Sequence, residues 1–128
     1  MENLTPKEEE IMQIIWNLDK CFVKDIIGQM DEPKPAYTTV SSIVRILESK
    51  AFVGHNAYGN TYQYYPLVPK EDYRKSTFRS FVQNYFDNSF KNVVSFLVEE
   101  KKLTKDEIEE LSHILKEIKE NKNGGSNE

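Results

Sequence analysis

Thiols are almost missing from this chain. Cys21 is the single cysteine among 128 residues, so no internal disulfide can form. Any site that needs several thiolates, such as a structural zinc site or a copper cluster, is excluded. A lone thiol also fits a reducing compartment. Long apolar runs are missing too. No uninterrupted stretch approaches a membrane span, and the N-terminus lacks the apolar segment of a secretory signal. A cytoplasmic protein with no membrane insertion is expected. Histidine is scarce: His55 and His113, the two present, read as surface residues rather than metal ligands. No nucleophile beside a base, carboxylate pair in a cleft or metal set stands out. Neither an enzyme nor a cofactor is expected.

Positive charge is also in short supply. The net charge is -4, which counts against nucleic acid, because neutralising phosphates dominates DNA affinity. The deficit is uneven. From Lys34 to Tyr65 the chain carries Lys34, Arg45 and Lys50 against Glu48 alone, a net +2 that leaves -6 elsewhere.

What the chain does have is helical punctuation on an ordinary globular composition, with 12% aromatic and 30% charged residues. Thr5-Pro6-Lys7-Glu8 is a capping box with proline at the first helical position. Ile11, Ile14, Ile15 and Leu18 then form a buried stripe. Cys21-Phe22-Val23 leads into a second helix with Val23, Ile26, Ile27 and Met30 inward. Pro33 and Pro35 end it. In AYTTVSSIVRILESK the apolar Val40, Ile43, Val44 and Leu47 follow helical spacing. The opposite face carries Thr38, Thr39, Ser41, Ser42 and Arg45. Two strands follow, about 52–57 and 61–65, around Tyr58-Gly59-Asn60. Gly59 supplies the positive φ of a tight turn. Tyr62 and Tyr64 are expected on the core face.

Three short helices and a hairpin within the first 69 residues make a winged helix-turn-helix, in a chain that is mainly α with one small β-hairpin. The third helix of that arrangement enters the DNA major groove while the wing touches the backbone beside it. Hydroxyls that donate and accept, and threonine methyls that meet thymine, suit a groove-reading face better than glutamate would. The rival reading is a winged-helix protein-interaction module without DNA binding, and the weak basic charge favours it.

Residues 70–120 differ. Tyr73, Phe78, Phe81, Val82, Tyr85 and Phe86 precede a helix with Phe90, Val93, Val94, Leu97 and Val98. A second capping box, Thr104 to Glu107, opens a last helix with Ile108, Leu111, Leu115 and Ile118. So short a helical region cannot close a core alone. Pairing with a second copy as a homodimer, through Phe81, Tyr85, Phe90, Val94, Leu97, Leu111 and Leu115, is the economical solution; folding back onto the first domain is the alternative. Residues 121–128 read as a disordered tail.

Taken in order, LTPKEEEIMQIIW, AYTTVSSIVRILESKAFV, GNTYQYYPLV and LTKDEIEELSHIL resemble the BlaI/MecI penicillinase-repressor family from about Leu4 to Leu115. The resemblance implies a dimeric repressor that binds a dyad DNA operator and blocks genes for β-lactam resistance. It also implies release by cleavage, triggered by a membrane-bound sensor with a zinc metallopeptidase domain. Carried over, Thr38, Thr39, Ser41, Ser42 and Arg45 would read DNA from the recognition helix, and His55, Tyr58, Asn60 and Thr61 from the wing. The chain departs from staphylococcal relatives where Ser41 replaces Arg and Thr38 replaces Lys. Ala51 stands in place of the glycine expected after the recognition helix. The Asn-Phe bond of the family's cleavage region is absent from VVSFLVEEKKL, which leaves Ser95-Phe96 or Phe96-Leu97 as candidate cleavage points. The copper-responsive branch carries a cysteine cluster that this chain lacks.

Overall fold

The computed structural model describes residues 3–100 and 103–124. Its elements run α1 (Pro6–Leu18), α2 (Val23–Gly28), α3 (Tyr37–Ser49), β1 (Val53–Tyr58), β2 (Thr61–Pro66), α4 (Lys70–Tyr85), α5 (Phe90–Glu99) and α6 (Lys105–Gly124). The architecture is mainly helical with one antiparallel hairpin. Two compact units divide the chain, residues 1–78 and 79–128.

In the first unit, both bonds of the α1 capping box form. The Glu8 N–H donates to Thr5 Oγ1 (3.2 Å), and the Thr5 N–H donates to Glu8 Oε1 (3.0 Å). Of the expected stripe, Ile11 and Ile15 enter a core shared with Val23, Ile26, Val40, Val44, Leu47, Phe52 and Tyr64, while Ile14 and Leu18 pack against it only partly buried and Met12, outside the stripe, is buried in their place. Helix α2 ends at Gly28, short of the buried Met30 and well before Pro33 and Pro35, the residues expected to end it; the Lys34 ammonium donates to the carbonyls of Ile27 (3.3 Å) and Met30 (2.5 Å) there.

Helix α3 closes with paired cap bonds. The Phe52 N–H donates to the Leu47 carbonyl and the Ala51 N–H to that of Glu48, both at 2.9 Å. This Schellman arrangement needs a left-handed residue between them, and Ala51 takes it with φ 66°. The cap also explains why β1 starts at Val53 rather than at 52: Phe52 has given its N–H to α3. The hairpin pairs Val53 with Pro66 through Tyr58 with Thr61, so its turn is Gly59-Asn60, with φ 62° at Gly59. Cys21 adds one bridge on the far edge of β2. Its N–H donates to the Tyr64 carbonyl (3.0 Å) and receives the Tyr64 N–H on its own carbonyl (2.7 Å). Burial, then the charges of Asp25 and Asp19, push the Cys21 thiol up to about 11.

The first unit runs beyond residue 69, where the sequence places its end. The reason is Tyr73. It is buried, its ring centroid lies 5.7 Å from that of Trp16 and 5.6 Å from that of Phe52, and its hydroxyl accepts from the Leu4 N–H (3.2 Å).

The second unit takes α4 onward from Arg79. Phe86 lies 5.6 Å from both Phe81 and Phe96, yet α5 buries no residue. The capping box of α6 forms, with the Glu107 N–H on Thr104 Oγ1 at 3.2 Å and the Thr104 N–H on Glu107 Oε1 at 2.9 Å. Helix α6 continues to Gly124, into the stretch expected to be a tail. The remaining tail residues lie outside the described residues. Among the described residues, no helix is long and apolar enough to cross a membrane.

Candidate nucleic-acid interface

The outward face of α3 follows from its inward one. At about 100° per residue, burying Val40, Val44 and Leu47 turns Thr38, Ser42 and Arg45 directly outward. Ser41 falls on one flank and Thr39 on the other. Thr38, Thr39, Ser42 and Arg45 are exposed and Ser41 is half-buried. Thr38, Ser41, Ser42 and Arg45 share one shallow depression with the exposed Tyr37. Ser41 and Arg45 also line a groove of about 250 Å³ with Asn60 and Tyr62 of the hairpin. Recognition-helix and wing residues therefore meet on one surface. Thr39 lines neither depression.

Electrostatics narrow the basic patch. Lys50 turns away to Glu8, with Nζ 2.7 Å from Oε1 and both side chains largely buried. The Lys50 hydrogen bond, then the Thr5 backbone N–H, holds the Glu8 carboxyl below its ordinary range. Lys34 caps α2. Arg45 is the basic group that α3 itself presents, and among the described residues no carboxylate lies within ion-pair distance of it. Lys24, exposed on α2, lines the neighbouring groove with Tyr37, Thr61 and Tyr62. Sequence reasoning missed Lys24, Tyr37 and Tyr62 here. A helical projection of α2 could have found Lys24, since Val23 and Ile26 fix the opposite face.

In the wing, Tyr58, Asn60 and Thr61 are exposed. The Thr61 hydroxyl donates to the Tyr58 carbonyl at 2.9 Å. His55 is placed differently: its Nδ1 lies 2.5 Å from Glu48 Oε2 of α3. Tyr62 corrects an expectation. It shares a face with Tyr64, but Tyr64 is 2% exposed and Tyr62 42%, because the strand outruns the core. Tyr62 stacks on His55 instead, centroids 4.1 Å apart.

The residues proposed for pairing between copies lie in the second unit. Phe81, Tyr85, Phe90, Val94 and Leu115 are exposed, and Leu97 and Leu111 are half-buried. On α5, Ser95 and Phe96 are exposed beside Leu97.

Two packed helices, a third with a polar outward face and a two-stranded wing beside it define a winged helix-turn-helix, a class of DNA-binding transcription regulators. Among solved structures, the DNA binding domain of the repressor BlaI aligns with a TM-score of 0.48 at 21% identity, over 57% of this chain and 94% of that one. The penicillinase repressor of Bacillus licheniformis is 24% identical over 120 residues, 93% of this chain and 94% of that protein. The methicillin resistance regulatory protein MecI of Staphylococcus aureus is 30% identical over 113 residues, 88% of this chain and 92% of that protein. Residues 4–117 match the penicillinase repressor family model. The chain belongs to that family of transcriptional repressors.

Proposed function

We propose that this chain represses transcription as a homodimer on a dyad operator, controlling genes of the β-lactam-resistance type. The observation that carries the reading is the outward face of α3. Thr38, Ser42 and Arg45 point away from the core, and Ser41 and Arg45 share a groove with the wing residue Asn60. Hydroxyls on this face reach base edges, and Arg45 meets a phosphate or a guanine edge. Tyr58, Asn60 and Thr61 meet the backbone beside the groove. Thr39 contributes from the flank. The apolar side chains of α4 to α6 join two copies, so that two recognition helices face two half-sites. By their names, MecI regulates methicillin resistance and the Bacillus protein represses penicillinase, which supports the same class of target genes.

Release by proteolysis completes the proposal. A membrane-bound metallopeptidase sensor would trigger a cut in α5, at Ser95-Phe96 or Phe96-Leu97. Such a cut removes α6 and part of the pairing surface without touching α3. Mass spectrometry of the repressor from derepressed cells checks it: two fragments are expected, and an intact chain contradicts it.

DNA reading itself is tested by substitution on α3. Thr38→Ala should relax preference at one base pair, since a lost base contact costs about 1–3 kcal/mol. Arg45→Ala should weaken binding to every sequence and flatten its dependence on salt. If both variants bind a selected operator as the wild type does, α3 is not the reader.

A further inference from the structure

We propose that Glu48, His55 and Tyr62 form a brace that sets the angle of the wing against α3, so that His55 is a positioning residue rather than a DNA contact. The proposal rests on the DNA-reading function above and assigns a part of that site.

A two-stranded sheet is barely stable alone, so something must hold this one. At its base the hairpin is held by the core, through the buried Val53 and Tyr64, and by the Cys21 bridge to Tyr64. Past His55 that hold ends. Asn56, Ala57, Tyr58, Gly59, Asn60, Thr61 and Tyr62 are all exposed. The strands there pair with each other, and the ring of Tyr58 reaches Phe22 at 6.2 Å. The tie to α3 is His55. Its Nδ1 lies 2.5 Å from Glu48 Oε2, and a carboxylate can only accept, so Nδ1–H is the donor. The other side of the ring arrangement is aromatic. Tyr62 lies nearly parallel to His55, at 13°, and Tyr64 meets it edge-on at 5.8 Å. One imidazole therefore links the last turn of α3 to both strands of the wing.

Leverage gives this link its effect. His55 stands four residues from Gly59, roughly 13 Å along a strand. A rotation of about 10° there moves the tip by about 2 Å over that length. That is enough to lose a hydrogen bond from Asn60 or Thr61 to a phosphate. The brace has a second consequence. Glu48 is the single acidic side chain of α3. Drawn to the wing, its carboxylate is held against His55 instead of standing free beside the phosphates.

The test uses the full chain and the best duplex that it selects from a random pool. Binding is measured for Glu48→Ala, His55→Ala and the double variant, each with and without Asn60→Ala/Thr61→Ala. Each single variant should weaken binding by about three- to thirtyfold, and the double variant by no more than the weaker binder of the two. With the wing-tip contacts already removed, Glu48→Ala and the double variant should cost nothing further and His55→Ala should keep only the cost of the freed Glu48 carboxylate, whereas Thr38→Ala should cost the same in both backgrounds. A merely structural defect would not show that dependence. As a second readout, backbone amide relaxation in the DNA-free protein should show 57–62 loosening in His55→Ala while α3 stays rigid. If the wild-type chain selects and binds a duplex and the brace variants match it, the brace is overturned and the DNA reading stands. If the wild type selects no duplex, the DNA reading falls and takes the role of the brace with it.

Discussion

The two compact units meet the burial requirement in different ways. Among the described residues, the buried apolar side chains lie in the first unit with the exception of Val82. The second unit leaves Tyr85, Phe90, Val94, Phe96, Ile114 and Leu115 largely exposed. The first has a closed core built from three helices and the base of a hairpin. The second has the apolar composition of a core without the chain length to enclose it. The contrast shows that apolar periodicity alone does not distinguish a complete core from half of one; the count of residues available to cover it does. It also separates the proposed tasks: a closed unit to present α3, and an incomplete one to recruit its own copy.

The contrast breaks most readily in the second unit. Val94 and Leu115 are 42% and 55% exposed in the single chain, so aspartate there is solvated in a monomer and buried only in a pair. Val94→Asp and Leu115→Asp should each dissociate the full-length protein in sedimentation, because an unpaired buried charge is costly. A dimer that survives both would show that copies pair elsewhere.

Tyr73 sharpens the boundary between the units. Tyr73→Ala removes contacts with Trp16 and Phe52 and the acceptor of the Leu4 N–H, and should cost about 3–5 kcal/mol in chemical denaturation. The same change at the exposed Tyr85, made in a monomeric Val94→Asp background, should fall within about 0.5 kcal/mol. Equal losses would erase the distinction drawn between closed and open cores. A chain cut after Pro69 should be destabilised as Tyr73→Ala is, whereas one cut after Phe78 keeps this contact.

The smallest effect lies at the end of α3. Ala51 sits at φ 66°, where a side chain is strained and glycine is not. Glycine also adds freedom to the unfolded chain, which offsets part of the gain. Ala51→Gly should therefore stabilise the first unit by about 0.5–1 kcal/mol, read as a shift in denaturation midpoint. No gain would mean that the cap relaxes around alanine.

Local signals were the legible ones. The Thr5-Pro6-Glu8 start, the inward stripe of α3 and the Gly59 turn each depend on residues within one turn of each other, and each appears in the structure, whereas α2 stops at Gly28, well before the prolines expected to end it. The outward position of Thr38, Ser42 and Arg45 follows from the same periodicity. What stayed hidden depends on contacts between distant residues. Lys50 counts toward a basic patch on paper but bonds Glu8, 42 positions away. Tyr73 falls past the prolines that end the hairpin, yet it packs on Trp16 and Phe52. Alternation placed Tyr62 with Tyr64, and the face was right. How far the core extends along a strand is set by the helices beneath it, so the exposure of Tyr62 could not be read from β2 alone.

The most direct measurement compares the affinity of the full-length chain for a duplex with two half-sites and for one with a single half-site, at fixed salt. If the first unit reads DNA and the second joins two readers, the dyad should be bound more tightly by a factor of about 10²–10⁴, and Val94→Asp should collapse that ratio toward unity. A wild-type chain that binds both duplexes equally, or a ratio that Val94→Asp leaves intact, would contradict the division of labour between the two units.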